Sequence, residues 1–262
     1  MKGPIKSRQV NTMLKWLKRI LWLILLAGLV CAVFITANGY KMYRDATAEK
    51  SLDKAVEELR ADEDYVTIDE LPQMYLDAVV AIEDHRYYDH GGIDLIAIGR
   101  AVKRNIKAGA LVEGGSTITQ QVGRNFYFTQ DKLFSRKMAE VFVARNLEKN
   151  YSKDEILELY VNMIFFGEEY TGIREASIGY FGKEPVQLND YESTLLAGIP
   201  NAPNVYAPTS NPSLANQRHR QVLDRMVECE YLSQEQADEI LSQGQLMVLY
   251  LQEPNTAMPK AS

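Results

Sequence analysis

The stretch ILWLILLAGLVCAVFITA, Ile20 to Ala37, runs for 18 residues without a charge. As a helix it covers about 27 Å, close to the roughly 30 Å hydrocarbon core of a bilayer. A cleaved signal peptide would carry a shorter apolar region, about 7–15 residues, and a small-x-small site after it. Here Ile35 precedes Ala37, so the run reads as an uncleaved anchor. Lys2, Lys6, Arg8, Lys15, Lys18 and Arg19 precede it with no acid among them. That excess assigns the N-terminal flank to the cytoplasm. Cys31 then lies in lipid, out of reach of Cys229, and no CxxC or Cys/His cluster suggests a disulfide framework or a zinc site.

The chain carries a net charge of −6, and its first 19 residues carry +6, so the remainder stands at −12. Within that acidic remainder, Arg100 to Lys137 holds eight basic residues against Glu113 and Asp131. A basic island of this kind is either a solvated helix face or a site for phosphate-rich partners such as lipid headgroups or a phosphorylated substrate. A domain beyond the membrane disfavours nucleic acid.

The pattern divides the chain into a cytoplasmic basic segment (1–19), a transmembrane helix (20–40), a polar juxtamembrane stalk (41–64), a main domain (65–243) and a C-terminal tail (244–262), expected to be weakly ordered. Ser51 to Arg60 predicts a helix inside the stalk. The main domain reads as mainly helical. Ser152 with Glu155, and Ser233 with Gln236, are capping-box pairs that start helices. Ile199 to Pro212 contains four prolines and predicts an irregular loop.

Three stretches carry candidate chemistry. AIED ends an apolar helix on Glu83 and Asp84. Glu83 is either a helix-terminal acid facing water or a carboxylate partly desolvated by that helix, in which case burial and the adjacent Asp84 raise its pKa toward a useful general base. EGGSTITQQ, Glu113 to Gln121, is either a polar turn before a helix or a ligand-holding loop, its glycines allowing close approach and Ser116, Thr117, Thr119, Gln120 and Gln121 offering neutral hydrogen bonds. In FSRKMAEVFVARNLEKNY, Phe134, Met138, Val141 and Phe142 share one helical face, while Arg136, Lys137 and Glu140 gather on the other. That triplet is either a surface ion pair or, with Arg124 and Lys132 upstream, an anion site. Arg145 falls on the apolar face and predicts a buried pairing. Together these pieces suit a base that deprotonates a hydroxyl and cations that stabilise a phosphate leaving group. A neutral glycan would need an acid at its leaving oxygen instead.

At this point the chain resembles the family 51 glycosyltransferases, the peptidoglycan glycosyltransferases that polymerise lipid II, in monofunctional form. Four ordered motifs between Leu71 and Pro212 carry the resemblance: Glu83, Asp84, Tyr87, His90 and Gly92, with Tyr87 where Phe is usual; Gly114 to Gln121, complete; Arg136, Lys137 and Glu140; and Lys153, Ile156, Leu157, Glu158, Tyr160 and Asn162. FGEEYTG departs from the family's FGxGxYG at Glu169 and Thr171. The resemblance implies a lysozyme-like bilobal fold, with a smaller lobe near 93–135 partly sunk into the outer leaflet. It implies Glu83 as general base and Glu140 as a stabiliser of the departing pyrophosphate, with Mg²⁺ or Mn²⁺ as a candidate divalent cation there and no organic cofactor. Arg124, Lys132, Arg136 and Lys137 would meet the phosphates, and Asp84, Ser116, Thr117, Gln120 and Gln121 the rest of the substrate. His90, Gly114, Gly115, Lys153, Glu158 and Asn162 would support the cleft. The implied partners are lipid II, its lipid-linked glycan chain, the bilayer and other cell-wall synthesis or division proteins, with the catalytic domain extracytoplasmic. The alternatives are a lytic transglycosylase or lysozyme-like hydrolase and an inactive membrane scaffold. A fused transpeptidase is disfavoured, since no KTG follows the SxxK-like Ser51 to Lys54.

Overall fold

A computed structural model describes residues 5–110, 114–128 and 134–252, with side chains described between 13 and 243 of these. The helices are α1 (Ile5–Glu49), α2 (Leu52–Arg60), α3 (Gln73–Glu83), α4 (Leu95–Ala108), α5 (Ile118–Tyr127), α6 (Phe134–Asn150), α7 (Lys153–Met163), α8 (Ile173–Phe181), α9 (Asp190–Gly198), α10 (Pro203–Tyr206), α11 (Pro212–Glu228) and α12 (Gln234–Gln252). Among the described residues the only β-pairing is an isolated bridge between Phe165 and Thr171. The mainly helical class read from the sequence is the class observed.

Local rules explain most helix starts. Ser152 and Glu155 form the expected capping box at α7. Ser233 does the same with Gln236 at α12, accepting from its backbone N–H at 3.2 Å. Ser51 accepts from the backbone N–H of Lys54 to open α2. The proline-rich stretch is less irregular than expected: it folds into a short 3-10 turn at Ile199–Asn201 and the single turn α10, because proline suits the first turn of each.

The core gathers α3, α9 and α11 on one side and α5, α6 and α7 on the other. α3 buries Tyr75, Leu76 and Ala78 to Ala81, and α9 is buried along most of its length. A helix with so little exposed surface belongs at the centre of a domain. The buried acid in α9, Glu192, is tolerated there because Lys183 reaches it at 2.7 Å.

Two expectations need correction. The polar stalk assigned to 41–64 packs onto the domain: Leu52, Ala55 and Val56 are buried, and Leu52 and Val56 join the core. α2 is amphipathic, so its polar composition describes only the outer face. Arg145 is exposed rather than buried in a pairing. The apolar stripe of α6 faces α1, not the domain interior, and a long cationic side chain at the edge of such a contact extends past it into solvent.

α1 is long and apolar enough from Met13 onward to cross a membrane. Trp22, Leu23 and Phe34 stand open on its surface. The helix continues beyond the apolar run without a break and packs against α6. α4 also has little cover. It buries Ala101 alone and exposes Leu95, Ile96, Val102 and Ile106. α5, by contrast, buries Ile118 and Val122 in the main body, so the smaller lobe expected at 93–135 narrows to α4 and its flanks.

Candidate active site

Glu83 is the last residue of α3 and is half-buried. Its Oε2 accepts from Gln121 Nε2 at 2.8 Å. Burial pushes its carboxyl pKa above the usual range, while the Gln121 bond and the fields of Arg218 and Arg124 pull it back and Asp84 adds a small push upward. A carboxylate with raised proton affinity, one oxygen held and the other available, is suited to take a proton from a hydroxyl.

Asp84 explains why Glu83 points where it does. It is buried, and both oxygens are used: Oδ1 lies 2.8 Å from His90 Nε2, and Oδ2 accepts from the backbone N–H of Ile118 at 3.1 Å. Ile118 is the first residue of α5, so the carboxylate also meets the positive end of that helix. Asp84 therefore pins the end of α3 to the start of α5, one turn before Gln121. It faces the interior of the domain. Burial pulls the His90 imidazole pKa down, but Asp84 and the Gly91 carbonyl outweigh it and leave the pKa raised.

The GGSTITQQ stretch divides by depth. Thr117 and Gln120 are buried in a reciprocal capping box at the start of α5. Thr117 also donates to the Gly92 carbonyl at 2.8 Å. Both build the start of the helix. Thr119 donates to Glu148 at 2.6 Å, tying α5 to the far end of α6. Ser116, Gln121 and Arg124 keep partial exposure, and Arg124 donates to the side-chain Oε1 of Gln121 at 3.4 Å. Gly114 and Gly115 are not among the glycines with positive φ. A side chain at Gly115 would crowd Ile98 of α4, so that glycine serves packing.

On α6, Glu140 is 1% exposed and lies between two cations. Lys137 Nζ stands 2.7 Å from one oxygen and Arg136 Nε 3.1 Å from the other. Lys137 also donates to Ser116 at 2.7 Å, and its side chain is 42% exposed, open to solvent. The link to Glu83 runs through α5. A Cβ on Gly123 would come within 3.0 Å of Val143 and 3.7 Å of the Glu140 carbonyl, so α5 and α6 approach too closely for a side chain between them. The same helix that holds Glu83 through Gln121 thus seats Glu140 two residues later. Gly92 does similar work, with α6 at Ala144 occupying the space a side chain would need.

A divalent cation at Glu140 does not fit the chain's own groups. Mg²⁺ takes about six oxygen ligands. Here one carboxylate is offered, both its oxygens face cations, and Ser116 is engaged by Lys137. Asp84, His90 and Asp94 do approach one another closely enough to share an ion. Their atoms are already committed: Asp84 as above, Asp94 to Arg86 at 2.9 Å and to two backbone N–H groups that open α4.

Lys153, Glu158 and Asn162 lie behind the site. Lys153 pairs with Glu148 at 2.8 Å and sits over the Tyr87 ring. Tyr87 is wholly buried and donates its hydroxyl to the Lys153 carbonyl at 2.7 Å, which gives the Phe-to-Tyr departure a partner. Glu158 accepts from the backbone of Ile68, and Asn162 exchanges two bonds with Val66. Glu169, where the family pattern has glycine, takes a left-handed φ of 72°, and neighbouring Glu168 accepts from the Thr209 and Ser210 hydroxyls to hold the turn. Lys132 and Glu113 lie outside the described residues. Two contributors escaped the sequence reading. Glu148 gives no sign beyond a helical acid. Arg218 arrives from α11, far along the chain, and is anchored by a 3.2 Å bond to the Gly198 carbonyl.

A family model described as Transglycosylase matches residues 50–227. Penicillin-binding protein 1F of Bacillus subtilis is 45% identical over 71% of this chain and 26% of its own length. Penicillin-binding protein 1A of Neisseria flavescens is 41% identical over 69% and 23%. A protein of Cupriavidus necator named as a candidate transglycosylase is 45% identical over 72% of this chain and 80% of its own length. A crystal structure of penicillin-binding protein 1A from Haemophilus influenzae aligns over 74% of this chain and 18% of its own, at 25% identity and a TM-score of 0.41. The chain spans about a quarter of the length of the penicillin-binding relatives it matches.

Proposed function

This chain belongs to the transglycosylase family, and from that premise we propose that it is a membrane-anchored peptidoglycan glycosyltransferase polymerising lipid II. Glu83 removes the proton from the 4-hydroxyl of the acceptor sugar. The resulting oxygen attacks C1 of the donor sugar on the face opposite its phosphate, and a β-1,4 bond forms as the C1–O bond to pyrophosphate breaks. The electron pair leaves with the pyrophosphate, where Lys137, Arg136 and Arg124 meet the growing charge. Lys137 exchanges Ser116 for a phosphate oxygen, and Glu140 keeps the two cations of its own helix in place. Lys132 would add to this group. The scheme routes no step through a metal; a divalent cation bound near Glu140 would need oxygens from the pyrophosphate itself.

The observation that carries the reading is the double duty of α5. It holds a base of raised proton affinity through Gln121 and abuts the cation-flanked Glu140 through Gly123. A hydrolase cutting finished glycan has use for the first feature and none for the second.

The same reading assigns the N-terminus to the cytoplasm and the domain to the far side, where its lipid-held substrate and other cell-wall proteins would meet it. The exposed apolar residues of α4, with Lys103, Arg104 and Lys107 beside them, suit the headgroup boundary.

The test is purified full-length protein with lipid II, products resolved on a gel. Wild type should build polymer. Glu83→Gln should lose at least about a hundredfold in rate, within the range for a general base. Lys137→Ala should lower turnover more than it raises KM. Soluble fragments released from finished wall, with no polymer from lipid II, would overturn the reading in favour of a hydrolase.

A further inference from the structure

α6 carries its charged triplet on one side and the anchor helix on the other. Gly39 of α1 is buried two residues after the apolar run ends. A Cβ there would lie 2.8 Å from the Ser135 carbonyl and 3.1 Å from the Ala139 nitrogen, and would also collide with Met138. The two helices therefore cross with backbones nearly touching, at the very turn that holds Arg136, Lys137 and Glu140. Just beyond, the ring of Phe142 packs against Tyr40 at 5.3 Å and Tyr43 at 5.9 Å. At 100° per residue, Ser135, Met138, Ala139 and Phe142 centre about 150° away from Arg136, Lys137 and Glu140. So α1 presses on the back of α6 while α5 receives its front through Gly123.

α1 has no hinge between lipid and this contact. It is one helix from Ile5 to Glu49. The polar groups near the crossing turn back onto it, Thr36 and Asn38 each bonding the carbonyl four residues earlier. The other glycine of α1 is a built-in comparison: a Cβ on Gly28 would have nothing within 4 Å of it and would meet only surrounding solvent or lipid.

We infer that Gly39 is a positioning residue: the α1–α6 crossing seats the leaving-group cations at a fixed depth against α5. The anchor thus does more than tether the domain. This rests on the glycosyltransferase reading for its catalytic consequence, but its structural core, the placement of the anion site by α1, does not.

The experiment uses the full chain in vesicles, as wild type, Gly28→Ala, Gly39→Ala and Phe142→Leu. Four quantities are read: membrane insertion, thermal midpoint, turnover and KM on lipid II, and affinity for farnesyl pyrophosphate as a minimal prenyl pyrophosphate. Gly39→Ala should insert and fold, lose about tenfold or more in turnover, and bind farnesyl pyrophosphate several-fold more weakly; displacing catalytic groups by an ångström costs on this scale. KM should rise by no more than the loss of farnesyl pyrophosphate affinity, since Glu83 and Gln121 sit on other helices. Phe142→Leu, which loosens the same contact without a backbone collision, should move the same way by less. Gly28→Ala should match wild type. Equal behaviour of Gly39→Ala and wild type overturns the inference, as does equal impairment of Gly28→Ala, or a loss that follows the folded fraction alone. If wild type makes no polymer, the reaction reading fails, while the farnesyl pyrophosphate series still decides whether α1 sets the anion site.

Discussion

Glu83 and Glu140 show how the same side chain is assigned two jobs by its surroundings. Glu140 is flanked by cations on both oxygens and fully covered, so its charge is matched on the spot. Glu83 has one amide for a hydrogen bond and more distant positive fields from Arg218 and Arg124, and burial dominates. Its folded-state pKa is therefore raised above the unfolded value of about 4.3. A group shifted this way contributes its full stability below the unfolded value and loses it as pH rises through the folded one. Ionised Glu83, the form that the proposed reaction needs, is the form that burial disfavours in the fold. Glu83→Gln should consequently raise the thermal midpoint at pH 7, leave it near wild type at pH 4, and abolish polymerisation at either pH. Parallel melts at the two pH values check this. A lower midpoint for Glu83→Gln at pH 7 would mean that Gln121, Arg124 and Arg218 stabilise the carboxylate more than burial penalises it.

At the level of elements, α5 decides the geometry, and its start is where the motif residues do their work. Asp84 and Thr117 both act on its first turn, one from outside and one as its cap. Asp84→Asn keeps one acceptor but loses the charge that faces the helix N-terminus and the His90 ring. It should cost about 1–3 kcal/mol, as expected for a buried hydrogen bond to a charged group. For a domain of this size that is roughly 2–4 °C in midpoint per kcal/mol. Turnover should fall as well, because Glu83 and Gln121 hang from the two ends that Asp84 joins. Thermal melts together with initial rates on lipid II read both, and an unchanged rate in a destabilised variant would reduce Asp84 to a purely structural brace. The sequence revealed much of this level. Ser152 and Glu155 were legible as a cap because nothing else competed for them. Thr117 and Gln120 carry the same spacing, yet their place in a hydroxyl- and amide-rich stretch made chemistry look the better use. Arg136, Lys137 and Glu140 were legible as neighbours on one helix. That Glu140 is buried was not, since its cover comes from α5. Arg145 departs from the expected burial because a stripe of apolar residues says that a face is covered without saying by how wide a partner. Arg218 and Glu148 left no local trace: their roles come from packing between helices remote in the chain.

For the molecule as a whole, the anchor and the site are parts of one body. From Met13 to Glu49, α1 measures about 55 Å, well beyond the roughly 30 Å of hydrocarbon it needs to cross. The excess is not a loose tether, because Gly39 and Tyr43 already belong to the contact with the domain. From Ala37 to Gly39 the helix rises only about 3 Å, so the domain begins where the apolar run stops. A domain held that close brings exposed apolar surface within reach of lipid, and α4 supplies it in Leu95 and Ile106, each more than three-quarters exposed. Burying one such side chain is worth about 1.5–3 kcal/mol. With α1 already fixing the domain at the surface, that energy has little left to do for binding and acts instead on orientation. Leu95→Ser with Ile106→Ser should therefore leave membrane insertion unchanged. Polymerisation of lipid II in vesicles should fall several-fold, while activity in detergent micelles, where no plane exists to orient against, should stay near wild type. Rates in the two media, compared on the same preparation, are the check. An equal fall in both would show that α4 serves the fold of the site itself rather than its angle to the bilayer.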